Sequence, residues 1–233
     1  MKLSSAQKEQ FQSQGYLYLP GALDKKTVQP IKAHILKALE KQKIWARGKV
    51  LSGQWKGIPA FQQVNKLGQA ITYSSLREAL VTRSLYSMVR EVSNVPLTEE
   101  QDAKLLISLP NQGDWTLAGL SWHRDVSESK SGKMPGVQIF VLLDNLSPQG
   151  GATLALAGSH RLSGPSRSKQ RIEKLLEEAA GSGIEVDGIN LSILEMSGKM
   201  GDVYLMDMRL LHTPSINASN TPRLMATLRF FGI

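Results

Sequence analysis

The chain has 233 residues, 41% hydrophobic and 21% charged, the composition of one sizeable globular unit. It holds no cysteine, which excludes disulfides, thiolate-bound zinc and iron–sulfur clusters. The formal net charge of +8 reads first as solvated helix faces and loops, with a slight tilt toward an anionic small-molecule partner; nucleic acid is the weaker reading, because no aromatic platform interleaves the basic clusters at 25–56 and 161–174.

In chain order, residues 4–14 read as a short helix stopped at Gly15, leading into the strand-like Tyr16-Leu17-Tyr18-Leu19. Asp24 is placed to cap a helix running through Gln42, with Val28, Ile31, Ile35 and Leu39 on one face. Residues 44–62 have no clean period and hold Trp45, Trp55 and Lys56, so they read as a long loop, a lid or pocket wall. A second helix is expected from Ser74 to Val92, ending before Pro96. The opening segment is polar and no apolar run reaches 18 residues, so a cytoplasmic protein with no membrane partner is expected.

From Lys104 onward, short apolar runs alternate with turn residues: LLISL, GLSWH, VQIFVLLD, ATLALA, INLSILEM, DVYLMDM and RLMATLRFF. That pattern predicts an antiparallel sandwich or barrel, interrupted by one helix from Lys169 to Ala180. The whole reads as a single domain over 1–233, α+β and mostly β. Residues 1–100 supply helical support and a pocket loop, and 104–233 form the β-core. No signal for oligomeric state is readable.

The chemistry concentrates in Trp122-His123-Arg124-Asp125 and a distant His212. On an extended strand His123 and Asp125 share a face, because side chains alternate, and Trp122 points away as packing. A second imidazole from His212 would complete the two-histidine, one-carboxylate set of non-haem Fe(II) oxygenases. Of the other two histidines, His34 reads as structural and His160 as a loop residue or hydrogen-bond donor to a ligand. Between His212 and Arg223 lies TPSINASNTP, good turn material, so a reversal near Ala218 would return Arg223 beside His212 on the adjacent strand. A guanidinium there is a two-pronged clamp for a carboxylate. Arg223, Met225, Thr227 and Arg229 should share the interior face of the last strand, so Arg229 is either a contact for an anionic substrate or half of an ion pair. Gln138 and Phe140 share a face of an earlier strand and are candidate pocket residues.

In order along the chain, FQSQGYLYLPGALDKKTVQPIKAHI, His123-x-Asp125, LLDNLSPQGGATLALAGSHR and GDVYLMDMRLLHTPSINASNTPR resemble the phytanoyl-CoA dioxygenase family of Fe(II)/2-oxoglutarate oxygenases. The resemblance implies a double-stranded β-helix (jelly-roll, cupin-like) core buttressed by the N-terminal helices. It implies that His123, Asp125 and His212 are iron ligands and that Arg223 partners the distal carboxylate of the cosubstrate 2-oxoglutarate. It also implies O2-dependent hydroxylation of a small molecule with release of succinate and CO2. Two positions depart from the family pattern. Pro214 stands where a Ser or Thr commonly assists the arginine, leaving Thr213 or Ser215 as substitutes, and Ala157 replaces the proline of a Pro-Gly-Ser-His element. Retention of Asp125 favours hydroxylation or a related oxidation over halogenation, since halogenating relatives carry a small residue there. A nucleic-acid dealkylase of the same iron chemistry and a catalytically silent jelly roll are the competing readings.

Overall fold

The computed structural model describes residues 2–46, 48–55, 57–93, 95–98, 103–126, 134–164, 168–178 and 183–233. Most of the expected polar loop after Asp125, Lys56 and the helix stop at Gly181 lie outside them.

Helix α1 (Ser5–Gln14) starts at a capping box. Ser4 Oγ accepts from Gln7 N at 3.2 Å, and Gln7 Oε1 accepts from Ser4 N at 2.9 Å, so two N–H groups at the helix start find partners. Gly15 ends it with φ 78°, and a Cβ there would lie 2.6 Å from the ring of His160. Only glycine suits that corner. Strand β1 (Tyr16–Leu19) follows, then helix α2 (Lys25–Lys41), capped by Asp24 as expected and burying Val28, Ile31, Ile35 and Leu39. Each fully buried aliphatic chain of this kind contributes about 1.5–3 kcal/mol.

The stretch expected as a long loop has structure of its own. It forms a hairpin of β2 (Trp45–Ala46) and β3 (Lys49–Val50), a 3₁₀ turn at Gly53–Trp55 and the start of helix α3 (Ala60–Ala70). The apolar face of α3 is short, Val64 and Leu67 with Gln63, which hides its period in sequence. The helix expected over 74–92 is two: α4 (Leu76–Leu80) and α5 (Arg83–Val92). Thr82 divides them, because its hydroxyl caps Leu85 N at 3.1 Å and its backbone is extended.

Strands β4 (Lys104–Ser108), β5 (Gly136–Leu142), β6 (Thr153–Ala157), helix α6 (Lys169–Glu178), β7 (Ile184–Val186), β8 (Ile189–Glu195), β9 (Val203–Asp207), β10 (His212–Pro214) and β11 (Arg223–Phe231) complete the chain. They build two antiparallel sheets, ordered β1-β9-β5-β11-β4 and β10-β6-β8-β7. The result is a jelly-roll sandwich, with no closed barrel among the described strands. GLSWH is not a strand; the chain there meets β10 only through a single bridge at His123.

Three apolar layers hold these pieces. Val137, Ile139, Val141, Leu224, Ala226, Leu228 and Phe230 face the helices. Phe140, Leu142, Met206 and Met225 fill the space between the sheets. Leu154 and Leu156 face outward from the smaller sheet, where Trp122 and α6 cover them. Strand β5 is buried on both faces, so it reads as an unbroken apolar run rather than an alternation.

Candidate active site

His123 and His212 come together through the smallest unit of a sheet. Each donates its N–H to the other's carbonyl at 2.9 Å, an antiparallel pair that sets the imidazoles side by side with centroids 4.4 Å apart. Asp125, two residues on, aims its carboxylate between them. Its oxygens lie 3.9 Å from His123 Nε2 and 3.6 Å from His212 Nε2. One ligand atom from each of the three falls within 4.8 Å of the others, so the set can hold one metal ion.

Both rings are oriented for that task. Nδ1 of His123 donates to Ser121 O at 3.0 Å and Nδ1 of His212 to Leu210 O at 3.2 Å, since a carbonyl only accepts. Each Nε2 is thereby left with its lone pair toward the shared centre. Ser159 of the Gly-Ser-His segment accepts from Leu211 N at 3.0 Å and fixes the approach to His212. His160 is buried and donates from Nε2 to Gln12 O at 2.9 Å, and His34 does the same to Thr72 O at 2.8 Å. Both are structural.

Burial pushes His212 down to about 4 from an ordinary 6.5, with His123 adding to the effect, and burial likewise lowers His160. The unfolded chain therefore binds more protons than the folded one between pH 6.5 and about 4. Metal-free protein should lose on the order of 1–3 kcal/mol of stability on going from about pH 7.5 to about pH 5. Urea midpoints at the two pH values test this; an unchanged or higher midpoint at the lower pH contradicts it.

Arg229 meets a ligand carboxylate rather than open cleft. Its Nη2 lies 2.8 Å from Asp125 Oδ1 and its Nε donates to Asp125 Oδ2 at 3.1 Å, a two-pronged grip that fixes the carboxylate plane. Arg229→Ala should weaken metal binding about tenfold, in the range for outer partners of metal ligands, with Arg229→Lys intermediate because one ammonium cannot grip both oxygens. Metal titration of the three proteins reads this directly, and equal affinities would refute it.

Arg223 opens β11 and pairs in register with Ser108 of β4, so it belongs to the larger sheet, whereas His212 lies on β10 of the smaller one. The two lie on opposite sheets of the sandwich rather than on neighbouring strands, because the turn after His212 carries the chain from one sheet to the other. Arg223 is 1% exposed. Its Nη1 donates to Gly151 O at 2.9 Å, while Nε and Nη2 are buried without a partner among the described residues. Burial depresses its pKa well below the usual guanidinium range, to about 9. Such a cation is costly unless an anion comes to it.

The other expected contacts are engaged elsewhere. Ser215 Oγ donates to Ala152 O at 2.8 Å and Thr213 Oγ1 to Pro214 O at 3.2 Å. Gln138 Nε2 donates to Thr227 Oγ1 at 2.9 Å, and Phe140 packs edge-on against His212 at 6.2 Å within the inter-sheet core. None of Gln138, Phe140 and Arg229 lines the open cleft beside the triad. That cleft, about 760 Å³, is walled by Trp55, Ile58, Phe61, Gln63, Leu120 and Pro214. Phe61 touches the ring of His123 edge-on at 5.4 Å. Gln63, which the sequence pattern hides on a helix it does not reveal, joins the walls. Its Oε1 accepts from Leu109 N and Gln112 Nε2 at 2.6 and 2.7 Å, and its Nε2 donates to Trp55 O at 3.2 Å.

A search of curated sequences finds no match. Solved structures match along nearly the whole chain. The non-heme alpha-ketoglutarate-dependent carbocyclase SnoK from nogalamycin biosynthesis is 16% identical with TM-score 0.67, covering 99% of this chain and 84% of that one. HygX from Streptomyces hygroscopicus, with nickel and 2-oxoglutarate bound, is 18% identical with TM-score 0.62, covering 99% and 87%. EctD from S. alaskensis, with 2-oxoglutarate and 5-hydroxyectoine, is 19% identical with TM-score 0.62, covering 99% and 77%. At these identities they establish a shared fold. The family model described as phytanoyl-CoA dioxygenase (PhyH) matches residues 11–225, over a jelly roll that brings two histidines and an aspartate around one centre, and the chain belongs to that family of Fe/2-oxoglutarate-dependent enzymes.

Proposed function

We propose that this chain is a single-domain, cytoplasmic oxygenase that uses Fe(II), 2-oxoglutarate and O2 to hydroxylate an unactivated C–H bond of a small-molecule metabolite. The observation that carries the reading is the His123, Asp125 and His212 cluster, with a buried arginine on the opposite sheet that meets no anion among the described residues. The donor set fits Fe(II): two neutral imidazoles and one carboxylate, leaving positions for further ligands. Iron held there would activate O2, coupling the decarboxylation of 2-oxoglutarate to succinate and CO2 with insertion of one oxygen atom into the substrate C–H.

The chain's own residues supply holding, aiming and dryness. His123, Asp125 and His212 bind the metal, and Arg229 keeps the carboxylate plane fixed. Arg223 receives the far carboxylate of 2-oxoglutarate, and its burial strengthens that charge pairing. Phe140, edge-on to His212 within the inter-sheet core, shields that ring from water. The cleft between α3 and the Leu109–Ser121 segment is where substrate enters, its wall largely apolar and aromatic with amide groups from Gln63, Asn111 and Gln112. No helix among the described residues is long and apolar enough to cross a membrane.

The test is succinate formation in air with Fe(II) and 2-oxoglutarate. Small-molecule candidates are assayed against methylated oligonucleotides. Succinate above the iron-only background, raised by small molecules, supports the reading. Stimulation by oligonucleotides alone would favour a dealkylase, and no succinate under any condition would favour a silent jelly roll.

A further inference from the structure

The family pattern leaves the arginine of this chain without its usual hydroxyl, because Pro214 occupies that place and the hydroxyls of Thr213 and Ser215 are spent on backbone carbonyls. A third hydroxyl stands beside the arginine. Ser108 ends β4 directly opposite Arg223, and the two side chains share the interior face of the sheet. Ser108 is fully buried, and its Oγ has no hydrogen-bond partner among the described residues. A buried hydroxyl without a partner is disfavoured, so such a group points to a missing one.

Gly151 locates that missing partner. Its carbonyl accepts from Arg223 Nη1, and a Cβ on it would lie 2.9 Å from Ser108 Oγ. The serine hydroxyl and one arm of the arginine fork therefore meet at one backbone position, a glycine with φ 83° whose other side is closed by Asn217, 2.7 Å from where a Cβ would stand. Three buried donors without acceptors among the described residues gather at this spot: Ser108 Oγ, Arg223 Nε and Arg223 Nη2. A carboxylate has two oxygens and four lone-pair directions, enough to accept from all three.

We infer that Ser108 is the second anchor of the cosubstrate's distal carboxylate, a hydroxyl delivered from β4 in place of the one missing after His212. This rests on the reading that Arg223 receives that carboxylate. Hydrogen bonds to a charged group are stronger than neutral ones, so Ser108→Ala should raise the Kd for 2-oxoglutarate about tenfold. Ser108→Thr, which keeps the hydroxyl, should stay near the wild-type value.

The experiment is a calorimetric titration of 2-oxoglutarate into nickel-loaded protein, where binding is read without turnover. It compares wild type, Ser108→Ala, Ser108→Thr, Ser215→Ala and Arg223→Met, with melting temperatures of the metal-free proteins alongside. Support is a weakened Ser108→Ala, a restored Ser108→Thr, an unaffected Ser215→Ala and an unchanged or higher melting temperature for metal-free Ser108→Ala. An unchanged Kd in Ser108→Ala with binding lost in Arg223→Met overturns the inference and leaves the Arg223 reading intact. Retained binding in Arg223→Met overturns that reading itself. A lowered melting temperature in Ser108→Ala with unchanged Kd assigns the serine a structural role and also overturns the inference.

Discussion

Asp125→Ala should abolish succinate formation and reduce metal affinity by more than the roughly 10–100-fold typical of losing an outer partner of a ligand. The loss is specific to coordination. His123 and His212 stay joined by their backbone pair, which does not involve the Asp125 side chain. Nor does protonation of the imidazoles explain it. The Asp125 charge raises the proton affinity of His212, so removing it makes that ring more firmly neutral and better suited to a metal. Arg229 loses its partner, but its partly exposed side chain can turn to water. The metal-free variant should therefore fold normally, and a near-native melting temperature with no metal uptake is the expected signature. Unaltered metal affinity in a folded Asp125→Ala protein would remove the triad from the mechanism.

Arg223→Met should produce two opposite changes. In metal-free protein it should raise stability, by about 1–4 kcal/mol if it follows other replacements of buried charge by apolar chains of similar volume. The physical reason is the desolvated guanidinium, held near a carbonyl but facing no carboxylate among the described residues, with a pKa depressed to about 9. In nickel-loaded protein with saturating 2-oxoglutarate the order should reverse, because only the wild type gains from binding. The Kd for 2-oxoglutarate in the variant should rise by about a hundredfold, on the scale of losing one two-pronged charged contact. Melting curves with and without cosubstrate check both halves. A variant that is less stable without ligand and binds 2-oxoglutarate normally would mark Arg223 as a structural cation.

Much of the chemistry is legible in the order of the residues. The triad can be read because a His-x-Asp pair, a lone late histidine and an arginine eleven residues beyond it stand in a fixed order. Capped elements such as α1 and α2 are equally readable, since Ser4, Asp24 and Gly15 mark their ends. Elements with short apolar faces are not. Helix α3 shows only Val64 and Leu67 of its core face, and the break at Thr82 interrupts a run whose period alone predicts one helix. Expected roles fail where they depend on a partner from another element. Arg229 reads locally as free to meet a substrate, because nothing in its own strand shows that it ends beside Asp125.

The net charge is the least informative signal. Lys32 pairs with Asp144 at 2.6 Å and Lys8 with Glu91 at 2.9 Å, and among the described residues the cleft carries one cation, Lys49. Much of the basic composition thus belongs to the surface rather than to a binding site.

The ligand types, their order and the alternation that turns Arg223, Met225, Thr227 and Arg229 inward are all present in the chain as written, because they are local properties of residue identity and strand geometry. Which groups meet is settled by packing over long range. The bridge joining His123 to His212, the crossing that puts Arg223 on the opposite sheet and the register that sets Ser108 against it all link residues far apart in the chain. Such pairings are fixed by how two sheets bury their inner faces together, and no window of sequence contains that information.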